Sequence, residues 1–151
     1  MSLSNRTYET VLSRLAEATV VIKAAAVSDY RVAQPADAKI PKSEAPLMLE
    51  LVPTPDILKE IGTQKGARIV VGFAAETGEV VQRAHHKLLA KQLDLIVAND
   101  VSQAGAGFAY DTNLVVILDP AGGVEALPLL PKRQVARCIF DRVVSLRRQS
   151  G

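Results

Sequence analysis

The chain has 151 residues, 48% of them hydrophobic, which is enough for one ordinary domain core, so a single domain is the expectation. Its formal charge is only +2, from 18 basic and 16 acidic residues, and aromatic residues make up 4% with no tryptophan, so neither a strongly basic nucleic-acid binder nor a base-stacking platform is indicated. The single cysteine, Cys138, excludes an intrachain disulfide and a cysteine metal cluster and points to a reducing cytoplasm, and no apolar run reaches the roughly 20 residues that span a bilayer.

In chain order, Tyr8, Val11, Leu12 and Leu15 share one stripe of a helix predicted over 5–18. Thr19 to Ile22 is a short β-branched run, the pattern of a strand buried on both faces, with Lys23 placed oddly at its end. Tyr30 to Pro46 is polar, carries Pro35, Pro41 and Pro46, and reads as a loop of functional length. Leu47 to Val52 reads as a strand; Thr54-Pro55-Asp56 then supplies a cap, a proline at the first helical position and an early acidic residue for a helix ending near Lys65.

Arg68 to Ala75 is a further strand, Gly78 to Gln92 a helix with Val81, Ala84 and Leu88 on one stripe, and Leu93 to Ala98 another strand. The Gly-rich stretch from Gln103 to Gly107 has neither a dinucleotide nor a Walker spacing and reads as a loop. Leu114 to Leu118 and Val124 to Leu127 flank a Gly122-Gly123 turn, and Pro131 opens a last helix whose Val135, Ile139, Val143 and Leu146 share a face. Alternating strands and helices predict an α/β fold in three layers, a Rossmann-like, mostly parallel sheet with helices on both faces and an antiparallel final pair. Ligands are then expected beyond the carboxyl ends of the strands.

Three of those ends carry polar residues: Asp29, Glu76 with Thr77, and Asn99 with Asp100. Taken singly, such residues are ordinary turn formers and caps; together they suggest a binding edge. Arg83, Lys87 and Lys91 follow each other at intervals of four and line one flank of a helix, where a solvated flank competes with contact to phosphates. Lys39 and Lys42 add positive charge in the long loop, and a lysine on a loop closing over a nucleotide can neutralise charge developing in phosphoryl or nucleotidyl transfer. His85 and His86 are adjacent on a helix, point about 100° apart and cannot share a metal, and Cys138 reads as a small core residue.

The run Ala24-Ala25-Ala26-Val27-Ser28-Asp29-Tyr30-Arg31, then Lys39-Ile40-Pro41-Lys42, Pro55-Asp56-Ile57-Leu58, Gly72-Phe73-Ala74-Ala75-Glu76-Thr77 and Asp94 to Val101 resembles, in order and spacing, the phosphopantothenoylcysteine synthetases. The resemblance runs from about Val20 to the carboxyl terminus. It implies a ligase that joins 4'-phosphopantothenate to cysteine in coenzyme A biosynthesis, using CTP and Mg²⁺ through an acyl-cytidylate, in a homodimer without nucleic-acid or membrane partners. Flavin belongs only to the decarboxylase to which bacterial members are commonly fused.

The family's nucleotide site carries over onto Ala25, Asp29, Lys39, Pro55, Asp56, Ile57, Leu58, Phe73, Lys87 and Lys91, with no metal ligand; Lys39 and Asn99 are the expected catalytic residues, Lys39 stabilising the charge of cytidylate formation and Asn99 touching substrate or supporting a residue that does. Two departures are expected to matter. The family's first βαβ element, with a glycine-rich turn and a substrate-contacting asparagine, has no counterpart here. Residues 1–4 and Gly151 read as appended ends of a single-domain fragment. Pro41 stands where the family often has another lysine and is expected to stiffen the loop. Two other readings remain at this stage: a nicotinamide-dependent oxidoreductase, which would need the dinucleotide fingerprint this chain lacks, and a non-catalytic nucleotide-binding or dimerisation module.

Overall fold

The structure, a computed structural model, describes residues 3–102 and 110–149. The Gln103 to Gly107 stretch lies outside the described residues. The central sheet runs β1 (Val20–Lys23), β4 (Ile69–Glu76), β5 (Leu95–Asp100), β7 (Val115–Leu118) and β8 (Val124–Ala126) in spatial order. β1, β4 and β5 are parallel, while β7 and β8 add antiparallel to β5 and to each other. Two small antiparallel pairs lie beside it: β2 (Tyr30–Val32) with β3 (Leu51–Pro53), and β6 (Thr112–Asn113) with β9 (Leu130–Pro131).

Strand alternation sorts the core into two halves. On one side Val70, Ile96, Ala98 and Leu118 pack with Leu15 of α1 (Leu3–Leu15), Ile57, Leu58 and Ile61 of α2 (Ile57–Thr63), and Ala84 and Leu88 of α3 (Val80–Ala90). On the other, Ile69, Val71, Leu95, Val97, Val115 and Ile117 pack with Val135, Ile139 and Val143 of α4 (Lys132–Gln149). This is the expected three-layer arrangement. Cys138 is a free, partly buried thiol packed against the α4 half.

Polar groups fix the strand entries. Asp94 accepts the Val70 N–H at 2.7 Å and the Lys65 ammonium at 2.7 Å, and Arg68 Nε donates to the Leu15 carbonyl at 2.7 Å, closing the end of α1. The Val70 N–H and the Leu15 carbonyl are thereby satisfied by side chains, and the Lys65 ammonium balances the Asp94 charge.

Three sequence expectations are corrected. Leu47 to Val52 is not one strand: only Leu51–Pro53 pairs, and Met48 is 90% exposed, because its partner among the described residues, Tyr30–Val32, is three residues long. Tyr30 therefore begins a strand rather than the loop. Thr54 does not cap α2 and Pro55 is not its first residue; Asp56 caps it in an extended conformation, accepting the Lys59 N–H at 3.1 Å, while the Thr54 hydroxyl bonds the Ser28 carbonyl. Pro131 likewise precedes α4, pairing with Thr112.

Candidate functional site

β1, β4 and β5 all end at one edge of the sheet, and there lies a cavity of about 590 Å³, the size of an ordinary small-molecule site. Its rim is the Ala24-Ala25-Ala26-Val27 segment leaving β1, with Asp29 beyond it. Small side chains keep this backbone within reach of a ligand. The segment is tied to the next element, because Thr54 N–H donates to the Asp29 carbonyl at 2.8 Å. That bond brings Pro55-Asp56-Ile57-Leu58, at the start of α2, to the same cavity.

The α2–α3 wall is charged. Lys91, at the carboxyl end of α3, reaches across to Asp56 at 3.0 Å, so one ion pair joins the ends of two helices. Burial alone would raise the Asp56 carboxyl, but the Lys91 hydrogen bond, the Lys59 N–H and the charges of Lys91 and Lys23 outweigh it and hold the group below its usual range. Lys23 is the residue that looked misplaced at the end of β1. It lines this wall, donates to the Ala25 carbonyl at 2.9 Å and has its ionisation lowered, first by burial and then by Lys91, with Asp56 and Asp29 opposing. A lysine whose folded pKa lies below its unfolded value makes stability rise with pH between those two values, since the unfolded chain then holds more protons. Lys23→Met should abolish that alkaline gain and raise the denaturation midpoint at neutral pH; urea titrations at about pH 8 and pH 10 would measure both.

Lys87 forms an ion pair with Glu76 at 2.5 Å, where Glu76 is only 5% exposed. The end of β4 thus carries a buried carboxylate that needs this cation. Lys87→Met is expected to lower stability by about 1–3 kcal/mol at neutral pH by stranding that charge. Adding Glu76→Gln should restore most of the loss, which a double-mutant cycle in urea would read.

The opposite wall follows from alternation. Phe73 packs with the α4 half of the core, and Asn99, two residues beyond Val97, falls on the same side. Asn113, Lys132, Val135, Ala136 and Ile139 complete that wall. The Asn99 Oδ1 is buried and has no hydrogen-bond partner.

Among the residues singled out in the sequence, Ala25, Asp29, Pro55 to Leu58, Phe73, Lys87, Lys91 and Asn99 therefore meet around one cavity. Lys39 does not line it; it sits in the exposed excursion between β2 and β3. Arg83 also stands apart, beside Glu76, Glu79 and His86 in a shallow depression. Sequence reasoning did not assign Lys23, Asn113 or Lys132 to the site. Lys23 had a usable signal, a cation ending a buried strand; Lys132 had none, since a lysine in a first helical turn is unremarkable.

The fold and cavity together define a Rossmann-like α/β domain with its ligand site at the carboxyl edge of the parallel strands. Within that class, the chain belongs to the DNA/pantothenate metabolism flavoprotein C-terminal domain family, which it matches over residues 3–146. It is 46% identical over 143 residues to the coenzyme A biosynthesis bifunctional protein CoaBC of Bacillus subtilis, covering 95% of this chain and 35% of that protein. The chain thus spans about a third of the length of this curated relative.

The crystal structure of the C-terminal domain of a CoaBC protein aligns with a TM-score of 0.75 at 36% identity, over 99% of this chain and 67% of that one. A Cab2 variant, solved in complex with phosphopantothenate-cysteine, shares the fold with a TM-score of 0.70 at 17% identity, over 100% of this chain and 54% of its own. Among the described residues no helix is long and apolar enough to cross a membrane.

Proposed function

We propose that this chain is the nucleotide-binding portion of a ligase that joins 4'-phosphopantothenate to cysteine by way of an acyl-cytidylate, with CTP as the activating nucleotide. The observation that carries the reading is the convergence of Lys23, Lys87 and Lys91 with the Ala25 to Asp29 and Pro55 to Leu58 segments on one cavity, in a chain of this family. An alternative, a non-catalytic nucleotide-binding or dimerisation module, uses the same cavity without the chemistry.

The chemistry needs two displacements. A carboxylate oxygen of phosphopantothenate attacks the α-phosphorus of CTP, the bond to the β-phosphate breaks, and pyrophosphate leaves. The cysteine nitrogen then attacks the acyl carbonyl, the bond to the CMP oxygen breaks, CMP departs and the nitrogen loses a proton. Activation is needed because a free carboxylate has no leaving group. The Ala25 and Pro55 to Leu58 backbones and Asp29 would hold base and ribose, Phe73 would flank the base, and Lys87 and Lys91 would face the phosphates. Both lysines are already paired, so a triphosphate would share them with Glu76 and Asp56 rather than meet bare charge.

Mg²⁺ fits this site as a companion of the nucleotide. Among the described residues no three His, Cys, Asp or Glu side chains gather to hold a metal, so its ligands would come chiefly from phosphate oxygens, whose charge it would offset. Homodimerisation is part of the same proposal. Leu47, Met48 and Leu49 on the excursion and Leu51 at the start of β3 lie exposed, and a second copy would cover them.

Calorimetric titration of this chain with CTP and Mg²⁺, with ATP and NAD as controls, tests the reading. Selective CTP binding at micromolar to millimolar Kd, about 4–8 kcal/mol, is expected. Preference for NAD, or no binding of any nucleotide, would remove the basis for it.

A further inference from the structure

α4 carries six of the chain's 18 basic residues and one of its 16 acidic residues, a bias that its packing does not require. Val135, Ile139 and Val143 turn one side of the helix into the core, and Arg142 is held by Asp119 and Glu125. At 100° per residue, Arg133, Arg137, Phe140, Val144, Arg147 and Arg148 share an arc of about 100° turned away from that core. All six are exposed, Phe140 at 57% and Val144 at 47%, and Asp141 falls just beyond the margin of the arc. Unlike Arg142, the four arginines of the arc form no ion pair and no side-chain hydrogen bond among the described residues.

Helix energetics account for half of this pattern. Arg147 and Arg148 lie in the last turn, where the helix dipole favours cations. Arg133 and Arg137 lie near the amino end, where the dipole disfavours them; no acidic residue stands in the first turn, and as an i, i+4 pair of like charge they repel. A face kept merely soluble would interleave both signs. The cations of the arc are moreover all arginine, and arginine beside an exposed aromatic is the composition of protein contact surfaces, where lysine is depleted.

We infer that this face of α4 docks an acidic segment of another polypeptide, with an apolar side chain seated on Phe140 and Val144 and carboxylates on the two arginine pairs, which are centred roughly 19 Å apart along the helix. A second copy meeting the same face does not fit, because arginine would stand against arginine. A nucleic-acid strand presents charge every few ångströms rather than in two clusters about an apolar gap, and a bilayer surface calls for a broader apolar face than two side chains.

The test is amide-resolved NMR titration of this chain at low salt with a helical peptide of about 16 residues, two glutamates at each end and leucines between them. The same peptide with glutamine for glutamate, phosphatidylglycerol vesicles and oligouridine are the comparisons. The glutamate peptide should move the Arg137, Phe140 and Val144 amides, and should weaken as salt is raised. The glutamine peptide should bind at least about tenfold more weakly, two pairs of charge-assisted contacts being lost. Arg137→Glu should weaken the response at least about fivefold and Phe140→Ala at least about threefold, with thermal midpoints no lower than the parent's, because neither side chain gives up a bond within the fold. Arg6→Glu, the same change of charge at an exposed position of α1 across the sheet, should stay within about twofold.

Absence of a peptide response, equal binding of the glutamine peptide, equal losses in Arg6→Glu and Arg137→Glu, or a fall in midpoint that accounts for the loss would overturn the docking surface. So would a stronger response of these amides to the vesicles or to oligouridine, which would give the face to a membrane or a nucleic acid. The ligase reading is scored separately, on CTP affinity, which none of these variants should change.

Discussion

Gly62→Ala is expected to destabilise the chain by about 2–4 kcal/mol, although glycine to alanine in an exposed helix interior would stabilise by about 1 kcal/mol. The sign reverses because of what lies outside α2. A methyl group at residue 62 would stand 1.9 Å from the Lys91 carbonyl oxygen and 2.9 Å from its carbon, and both are backbone atoms at the carboxyl end of α3. No rotamer change relieves such a contact; the two helices must separate. Separation acts directly on the site, since Lys91 and Asp56 form the ion pair joining those helix ends. CTP affinity should therefore fall at least tenfold alongside stability. A lower urea midpoint at an unchanged m-value, with weaker calorimetric binding, is the expected pair of results. An unchanged midpoint would mean that α2 and α3 are not held this close.

Gly62 also illustrates what could be read in advance and what could not. A glycine within a short helical stretch is visible in the sequence, but its reason is a carbonyl 29 positions later that only the fold brings near. The buried strands were legible because β4 and β5 are continuous apolar runs with both faces covered, and Ala84 and Leu88 recur at helical spacing. The stripe of Arg83, Lys87 and Lys91 was legible as a stripe but not as three different situations: one beside a shallow depression, one holding a buried glutamate, one bridging two helices. Those outcomes depend on β4 and α2, which no local pattern on α3 encodes.

The strand over Leu47 to Val52 failed for the complementary reason. Alternating leucines describe a ribbon that fits a half-buried sheet, but a strand exists only where a partner lies beside it. The partner is short and contains Arg31, so it gives no apolar signal of its own. Lys132 and Asn113 were hidden because β6 and β9 are two-residue pairings whose effect is to bring the start of α4 to the end of β5.

Lys39→Gln should leave CTP affinity within about threefold of the parent while lowering ligation by about 10²–10³-fold, the range found when one donor stabilising developing charge in a transition state is removed. The expectation draws on both the position of Lys39 and the geometry of the excursion that carries it. Residues 34–49 leave and rejoin the fold through the β2–β3 pair, closed by the Ala33 N–H to Glu50 carbonyl bond of 2.9 Å. At the other end of that pair the Asp29 to Thr54 bond sits on the cavity rim. A two-stranded stem rooted at the rim thus carries Lys39 on an exposed excursion that does not line the cavity.

If the excursion folds over a bound nucleotide, such a cation would act on turnover more than on affinity, and that difference is what the variant reads. Pro41 removes a backbone donor two residues away and narrows the paths by which that closure can occur. The measurement is product formation together with CTP titration in the full-length protein that contains this chain. Equal losses in affinity and turnover would make Lys39 a binding residue, and unchanged turnover would remove it from the chemistry.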